Sequence, residues 1–437
     1  IFPFLIVACI AFGFLVYVGF KKERLSIKPV LIGFLPFSIA LTASTAIAYY
    51  GWSLLLHIYP QYNEILHGFP YNGHLYIVAF IVLTLAICFI GYSLFKTKDR
   101  VVSYTVAPLF IWLIINGFIA VYVKGASFFI VPVYFCLLLF YFTITYQRPN
   151  AIFLSVIAIP VLVICVPFLQ ILPVGLGLDT VFVCALLSTL IFGLLLPVFG
   201  FYKFKRSLAL LLFVGFGVFL LRAHFKSNFN DNRQKPNSLL YVFNADENNA
   251  YWATYDAIPD DWTARKLGNT PRKASEFNET ILSDSYDGLF SYVTKAPVRK
   301  VLPPKIEISR DTIIGEYRQV ELCITPQRPV NKMDIFADDA TSIIALTANG
   351  EQADSAAFGK TSKNNSTLLF SYYVTDDKYL EIQLRISKSK PLTLSLNEAS
   401  FDLLSNNAFT ISPRSKDMIP KPFLLNDAVV VKKTIKL

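Results

Sequence analysis

Apolar and polar positions divide the chain into two textures. From Ile1 to about Ala223, apolar residues run in eight long stretches with almost no charge inside them. After Phe225, apolar and polar residues alternate in short runs broken by turn residues. A bilayer core about 30 Å thick takes roughly 20 apolar residues per helix. The stretches at 1–20, 30–56, 75–95, 102–123, 126–146, 151–172, 180–201 and 207–223 are of that kind. Pro160 and Pro167 are expected to kink the sixth. The pattern predicts a multi-pass α-helical membrane domain over 1–223, a linker over 224–237 and an extracytoplasmic β domain over 238–437.

Within the β domain, Ser238–Phe243 and Ala250–Tyr255 flank the polar stretch Asn244–Asn249 and predict a hairpin. Asp260 or Asp261 is placed to cap a short helix over 260–267. Period-two runs follow at 305–309, 317–325, 332–336, 342–346, 367–374, 379–386, 392–396 and 428–433. Asn349-Gly350 and Thr375-Asp376-Asp377-Lys378 mark tight turns. Many short strands with frequent turn signals predict an all-β antiparallel, sandwich-like fold.

Composition sharpens this division. Hydrophobic residues make up 54% of the 437, and the mean hydropathy is +0.50, above the range of ordinary soluble chains. Residues 1–225 hold 13 Lys and Arg against four acids, whereas residues 226–437 hold 27 against 26. The basic excess therefore lies beside the spans. Loops after spans 1, 3, 5 and 7 carry eleven Lys or Arg, and those after spans 2, 4 and 6 carry only Lys124. Positive residues stay cytoplasmic, so the β domain is expected on the periplasmic or lumenal side. Tyr49, Tyr50, Trp52 and Tyr59 fit an interfacial aromatic belt on that side. The near-neutral β domain has no basic stripe, which argues against a nucleic-acid partner.

Five of six cysteines lie in apolar stretches and act as small hydrophobes. Cys323 alone falls in the β domain, so that domain has no internal disulfide. The chain opens directly on an apolar run, with neither Met nor a basic n-region, followed by Lys21-Lys22-Glu23-Arg24. That opening leads us to expect the C-terminal part of a longer protein.

Candidate chemistry is sparse. The segment 57–74 holds three of the four histidines, His57, His67 and His74, together with Glu64. Imidazole is the commonest zinc ligand, but spacings of ten and seven match no compact ligand motif. A loop packed on the membrane surface or against a partner domain explains them better. The Asp pairs at 260–261, 338–339 and 376–377 lack calcium-loop spacing and read as caps and turns. No ionisable side chain lies mid-span, which disfavours a pump or antiporter. Asn116 and Gln170 are expected to hydrogen-bond between helices. Asn278-Glu279-Thr280 and Asn365-Ser366-Thr367 are glycosylation sequons.

One stretch carries a family likeness. Lys235–Thr263 reads KPNSLLYVFNADENNAYWATYDAIPDDWT. With Lys235-Pro236-Asn237-Ser238, the Asn-Ala-Asp turn at 244–246, Tyr251-Trp252-Ala253 and Asp261-Trp262, it resembles the segment after the membrane block in a family of membrane-bound zinc aminopeptidases. That family includes the endoplasmic-reticulum metallopeptidase, the fungal vacuolar membrane protease and bacterial relatives. The plan of about eight spans followed by an outward β-rich domain is similar too. The resemblance implies an upstream α/β peptidase domain holding two zinc ions and acting on peptide substrates. No catalytic or zinc-binding residue of that domain maps onto this chain. Two other classes remain open: a non-enzymatic membrane scaffold or binding protein and, third, a transporter.

Overall fold

In a computed structural model of the chain, described at all residues except 1, 96–99, 147–148, 269, 277–289, 354–366, 376–378 and 389–390, two compact units form, Ile1–Asn228 and Phe229–Leu437. The turn expected at 375–378, both sequons and three of the flanking basic residues (Lys96, Lys98, Arg148) lie wholly or partly outside the described residues.

The first unit is a helical bundle. Among its described residues, seven segments are long and apolar enough to cross a bilayer. They are α1 (Phe2–Lys21), α2 (Ile27–Ile58), α3 (Gly73–Leu94), α4 (Val101–Tyr122), α5 (Ile130–Thr145, entered through a 3₁₀ turn at Lys124–Phe129), α6 (Ala151–Leu176) and α9 (Lys205–Phe225). The seventh stretch, 180–201, differs from expectation. It is α7 (Val181–Leu194) followed by α8 (Leu196–Phe199), broken at Leu195. Pro197 has no N–H to bond back to the preceding turn, and it sits in the first turn of α8, where that donor is not needed. In α6, by contrast, Pro160, Pro167 and Pro173 sit inside one uninterrupted helix.

Burial shows what surrounds the bundle. On α1, Phe4, Ile10, Phe14 and Tyr17 are all more than 60% exposed, as are Leu210 and Leu211 on α9. Continuous apolar faces of this size are not presented to water, whereas lipid is a matched solvent for them. The short α7 is the opposite case, with most of its residues buried. Ser44 Oγ of α2 and Thr189 Oγ1 of α7 are 2.9 Å apart. Trp112 Nε1 of α4 donates to the Leu190 carbonyl at 3.0 Å. Close approach is also built into Gly193, where an added Cβ would lie 2.6 Å from Pro108 Cβ and 2.7 Å from a Phe37 ring carbon.

The second unit contains a five-stranded sheet, an eight-stranded sheet and a two-stranded pair. Its strands are β1 (Lys235–Asn237), β2 (Leu240–Asn244), β3 (Asn249–Thr254), β4 (Arg272–Lys273), β5 (Tyr292–Ala296), β6 (Lys305–Ile314), β7 (Tyr317–Thr325), β8 (Lys332–Ala337), β9 (Ile343–Ala348), β10 (Glu351–Ala353), β11 (Thr367–Tyr373), β12 (Leu380–Ser387), β13 (Thr393–Ser400), β14 (Met418–Pro420) and β15 (Ala428–Lys436). One helix, α10 (Asp261–Leu267), lies among them. The sheet orders are β10-β9-β12-β7-β6 and β11-β8-β13-β15-β2-β3-β5-β4. The all-antiparallel expectation needs correction at two places. β15 pairs with β2 in parallel, and β1 pairs with β14 in parallel. Parallel neighbours require a long connection, and here nearly the whole unit is that connection, since its last strand returns beside one of its first.

The eight-stranded sheet is covered on both faces around β2 and β15. Tyr241, Phe243, Val429 and Val431 belong to one apolar cluster, while Leu240, Val242, Ala428 and Val430 belong to another. This explains why LLYVF and AVVV are continuous apolar runs instead of alternating ones. Farther along, Val320, Leu322, Ile382 and Leu384 of the five-stranded sheet share one core with Met333, Ile335, Leu394 and Leu396 of the eight-stranded sheet.

Gly193→Leu is expected to lower the melting temperature of the bundle, because overpacking at such a contact costs about 1–3 kcal/mol. Gly217→Ala, where an added Cβ meets nothing within 4 Å, is expected to leave it unchanged or raise it. Thermal exposure of the buried thiols of Cys88, Cys136, Cys165 and Cys184 to a thiol-reactive dye measures both.

Candidate functional site

The segment between α2 and α3 is fastened across one end of the bundle. α2 stops at Ile58, Pro60 opens a 3₁₀ turn over Pro60–Glu64, and Gly68 adopts φ +70. The Leu178 N–H donates to the Gly68 carbonyl at 2.8 Å. Tyr62 stacks on Trp52, with centroids 6.3 Å apart and planes 5° from parallel, and its hydroxyl lies 3.0 Å from that of Tyr76. Asn72 Nδ2 donates both to the Tyr62 hydroxyl at 2.7 Å and to the Ala223 carbonyl at 2.8 Å. Glu64 is fully buried. Trp52 is buried too and donates to Asp179 Oδ1 at 2.9 Å, so it belongs to this end cap and not to the exposed aromatic belt expected of it.

The three candidate histidines do not converge. His57 is exposed on the last turn of α2. His67 Nε2 lies 2.6 Å from the Val174 carbonyl; a carbonyl only accepts, so that nitrogen is the protonated donor. His74 packs edge-on against Phe69, centroids 5.1 Å apart. His224, outside the segment, meets the Tyr59 hydroxyl through Nδ1 at 2.8 Å. Among the described residues, no three His, Cys, Asp or Glu side chains are grouped as metal ligands. The expected polar links between helices also differ. Asn116 Nδ2 donates to Trp112 in its own helix, and Gln170 is exposed.

In the second unit, part of the stretch that carries the family likeness, Lys235, Asn237, Asp260 and Trp262, is joined to Arg414 in one network. Asn237, fully buried, donates through Nδ2 to Asp260 Oδ2 at 2.9 Å and accepts from Arg414 Nε at 2.5 Å. Asp260 caps α10, accepting from the Trp262 and Thr263 N–H groups, while the Thr263 hydroxyl accepts from the Asp260 N–H. Lys235 Nζ lies 3.3 Å from Asp260. Burial alone would push the Asp260 carboxyl up, but Asn237, the Thr263 N–H and Lys235 together hold it below its ordinary value. Arg414 forms a two-pronged pair with Asp427 at 2.6 Å on each prong, and its guanidinium lies 4.3 Å from the Trp262 ring centre. Ser238 Oγ donates to Asp256 Oδ1 at 2.9 Å, and the buried Lys421 Nζ lies 3.5 Å from the same oxygen. The Asn244 side chain accepts from the Asp246 and Glu247 N–H groups and so shapes the turn between β2 and β3. These contacts hold β1, β14 and α10 to the large sheet. Their chemistry is structural.

Among the described residues, the one strongly perturbed acid of this unit was not marked by any motif. On β13, Glu398 continues the period-two row of Leu394 and Leu396 into the interior and is fully buried. Arg328 Nε approaches its Oε2 only to 3.5 Å, and neither carboxylate oxygen has a hydrogen-bond partner. Arg328 is instead held by the Glu398 carbonyl at 2.9 Å, the Val429 carbonyl at 3.3 Å and the Ser400 hydroxyl. Burial outweighs the arginine and pushes the Glu398 carboxyl up to about 7. A charge at an interior strand position was readable from the alternation. Its partner, 70 residues earlier, was not.

No family model, curated protein or solved structure matches the chain.

Because the Glu398 pKa is higher folded than unfolded, its contribution to stability is fully present below about 4.5 and is lost as pH rises through about 7. The expected loss is on the order of 3 kcal/mol. Hydrogen exchange of β13 peptides, corrected for intrinsic rate, should show falling protection between pH 5 and 8. Glu398→Gln should flatten that profile. Arg414→Ala should destabilise the same unit at every pH by about 3–5 kcal/mol, since it strands the partly buried Asp427 carboxylate.

Proposed function

We propose that this chain is the membrane-spanning and C-terminal portion of a membrane-bound zinc aminopeptidase. The observation that carries the reading is the network just described. Lys235, Asn237, Ser238, Asn244, Asp246 and Trp262, spread over the resembling stretch, each have a defined packing or hydrogen-bonding role at the start of the second unit. A likeness made of structurally necessary residues is more specific than one made of surface residues. On this reading the intact protein hydrolyses N-terminal peptide bonds with zinc-activated water held in a peptidase domain upstream. The present chain anchors that domain.

The same proposal assigns orientation. The described basic residues Lys21, Lys22, Arg24, Arg100, Lys203 and Arg206 gather at one end of the bundle, and α9 leaves from the other, beside 57–74. The positive-inside rule then puts the second unit in the periplasm or lumen. With α7 and α8 counted as one broken crossing, the bundle makes eight passes. The core shared by the five- and eight-stranded sheets supports a sandwich-like fold.

A second reading, a non-enzymatic scaffold or binding protein, is favoured by one feature. β6 is an edge strand of ten residues with Ile308, Ile313 and Ile314 exposed. Long apolar edges invite pairing with another chain.

The mass and N-terminal sequence of the native gene product, followed by its zinc content and aminopeptidase activity, test the first reading. The expected result is an additional domain that carries both zinc and activity, with neither changed by the triple substitution His57→Ala, His67→Ala, His74→Ala. Stoichiometric zinc bound to residues 1–437 alone and lost in that triple variant would overturn it.

A further inference from the structure

The strand registers of the eight-stranded sheet decide which of its loops share an end. Leu240 opens β2 opposite Ala428, the first residue of β15. Ala253, near the end of β3, lies opposite Leu240, and Ser400, the last residue of β13, lies opposite Val429. Lys332 opens β8 between Ala399 and Tyr373, the last residue of β11. The exits of β3, β11 and β13 and the entry to β15 therefore meet at one end of the sheet. That end displays Ile258, Tyr373, Phe401, Leu404 and Phe423, which are 39% to 79% exposed. Among the described residues the second unit has four exposed aromatic rings, and all but Tyr379 are here. The polar turn Asn244–Asn249 closes the opposite end.

Phe423 is the extreme case. It is 79% exposed and has φ +64, a left-handed backbone that a bulky side chain adopts only where its surroundings impose it. Here they do. The Lys421 N–H and Asn426 Nδ2 both donate to the Asn237 carbonyl at 2.8 Å. Asn426 Oδ1 accepts from the Leu239 N–H at 3.1 Å, and Lys421 Nζ donates to the Tyr255 carbonyl at 3.1 Å. Leu424 and Leu425 pack on the apolar cluster around Val242 and Val430. The loop is fixed on both sides of Phe423, while the ring it holds out belongs to none of the unit's apolar clusters.

We propose that this end of the second unit docks on the bilayer surface, with Phe423 and Phe401 seated in the interfacial region. Two observations select lipid as the occupant. The Asn237 carbonyl that pins the loop belongs to β1, which begins ten residues after α9 ends, and ten residues reach at most about 35 Å. Because α9 is long and apolar enough to cross a bilayer, that tether presents the lipid surface to these loops at high effective concentration. The second observation is the kind of residue displayed. Aromatic rings among polar groups suit the zone between headgroups and acyl chains, and a fluid surface demands no shape match from four separate segments. The inference rests on the first unit spanning a bilayer and not on the peptidase reading.

Spin labelling of the intact chain in phosphatidylcholine nanodiscs tests it. Cys9→Ser and Cys323→Ser remove the thiols that are not buried, and a nitroxide is placed at Phe401→Cys or Phe423→Cys. The control is Val298→Cys, 46% exposed and just past β5, whose last residue Ala296 lies opposite Ala250 at the other end of the sheet. Labels at 401 and 423 are expected to be several-fold less accessible to a water-soluble nickel chelate than the label at 298, and at least as accessible to oxygen, which concentrates in lipid. Phe423→Gly removes the ring and relieves its backbone, so it should move the 401 label toward the values at 298. Hydrogen exchange of β15 peptides, unchanged or slower in that variant, verifies the fold. Equal chelate accessibility at 401, 423 and 298 would overturn the proposal, as would a 401 label indifferent to Phe423→Gly. Exclusion of both reagents at 401 and 423 would also sink it, since that pattern marks a covering protein such as a second copy or another domain.

Discussion

Hydrocarbon offers a protein no hydrogen bonds, and the architecture of the first unit follows from that. Backbone polar groups are satisfied within helices, and among the described residues seven helices are long and apolar enough to cross a bilayer. Side-chain polarity is displaced toward the ends. Trp52–Asp179, Tyr62–Tyr76, Asn72 with the end of α9, and His67 with Val174 all lie at one end, joined through the segment 57–74. That segment is rich in His, Tyr and Pro because it must close four helix ends at once. Of the histidines that suggested a metal site, His67 takes part in that closure.

The second unit meets the opposite difficulty. It buries charge in a protein interior, where an unpaired ion costs several kcal/mol. Arg414–Asp427 and Lys421–Asp256 are paired with further hydrogen bonds, so they fix the position of β1, β14 and α10 against the sheet. Arg328–Glu398 is the exception. Its arginine is satisfied mainly by carbonyls, and its carboxylate by nothing. The pair lies where β13 leaves the core shared by the two sheets and approaches the cluster around Tyr241 and Trp252. At that seam, the neutral acid is the form the interior favours near or below neutral pH.

Local signals account for what was legible in the sequence. Tyr317–Thr325 forms a strand with the expected bounds, because its alternation and its burial coincide. Asp260 caps α10 because the acid precedes a run with helical spacing. Strands without such signals escaped. β5 reads YVTKA, and β1, β4, β10 and β14 are two or three residues long. The parallel return of β15 to β2 joins residues nearly 190 positions apart, beyond any local pattern. In the bundle, apolar length located the crossings, but it could not tell that α7 is buried while α1 and α9 face outward, since all three are almost uniformly apolar. Nor could it place Gln170, which is exposed instead of joining two helices.

Uniform apolarity is therefore ambiguous in lipid in a way it is not in water. In a soluble protein an apolar face marks a buried one. In a bilayer the same residues pack against helices or against acyl chains at similar cost, and only shape and polar outliers distinguish the two. The outliers here are few and ordered. Ser44 and Thr189 join α2 to α7, and Trp112 joins α4 to it. These contacts lock α7 into the bundle centre, where most of its residues are buried, so the place of a uniformly apolar helix is set by a few polar contacts and by close packing at Gly193.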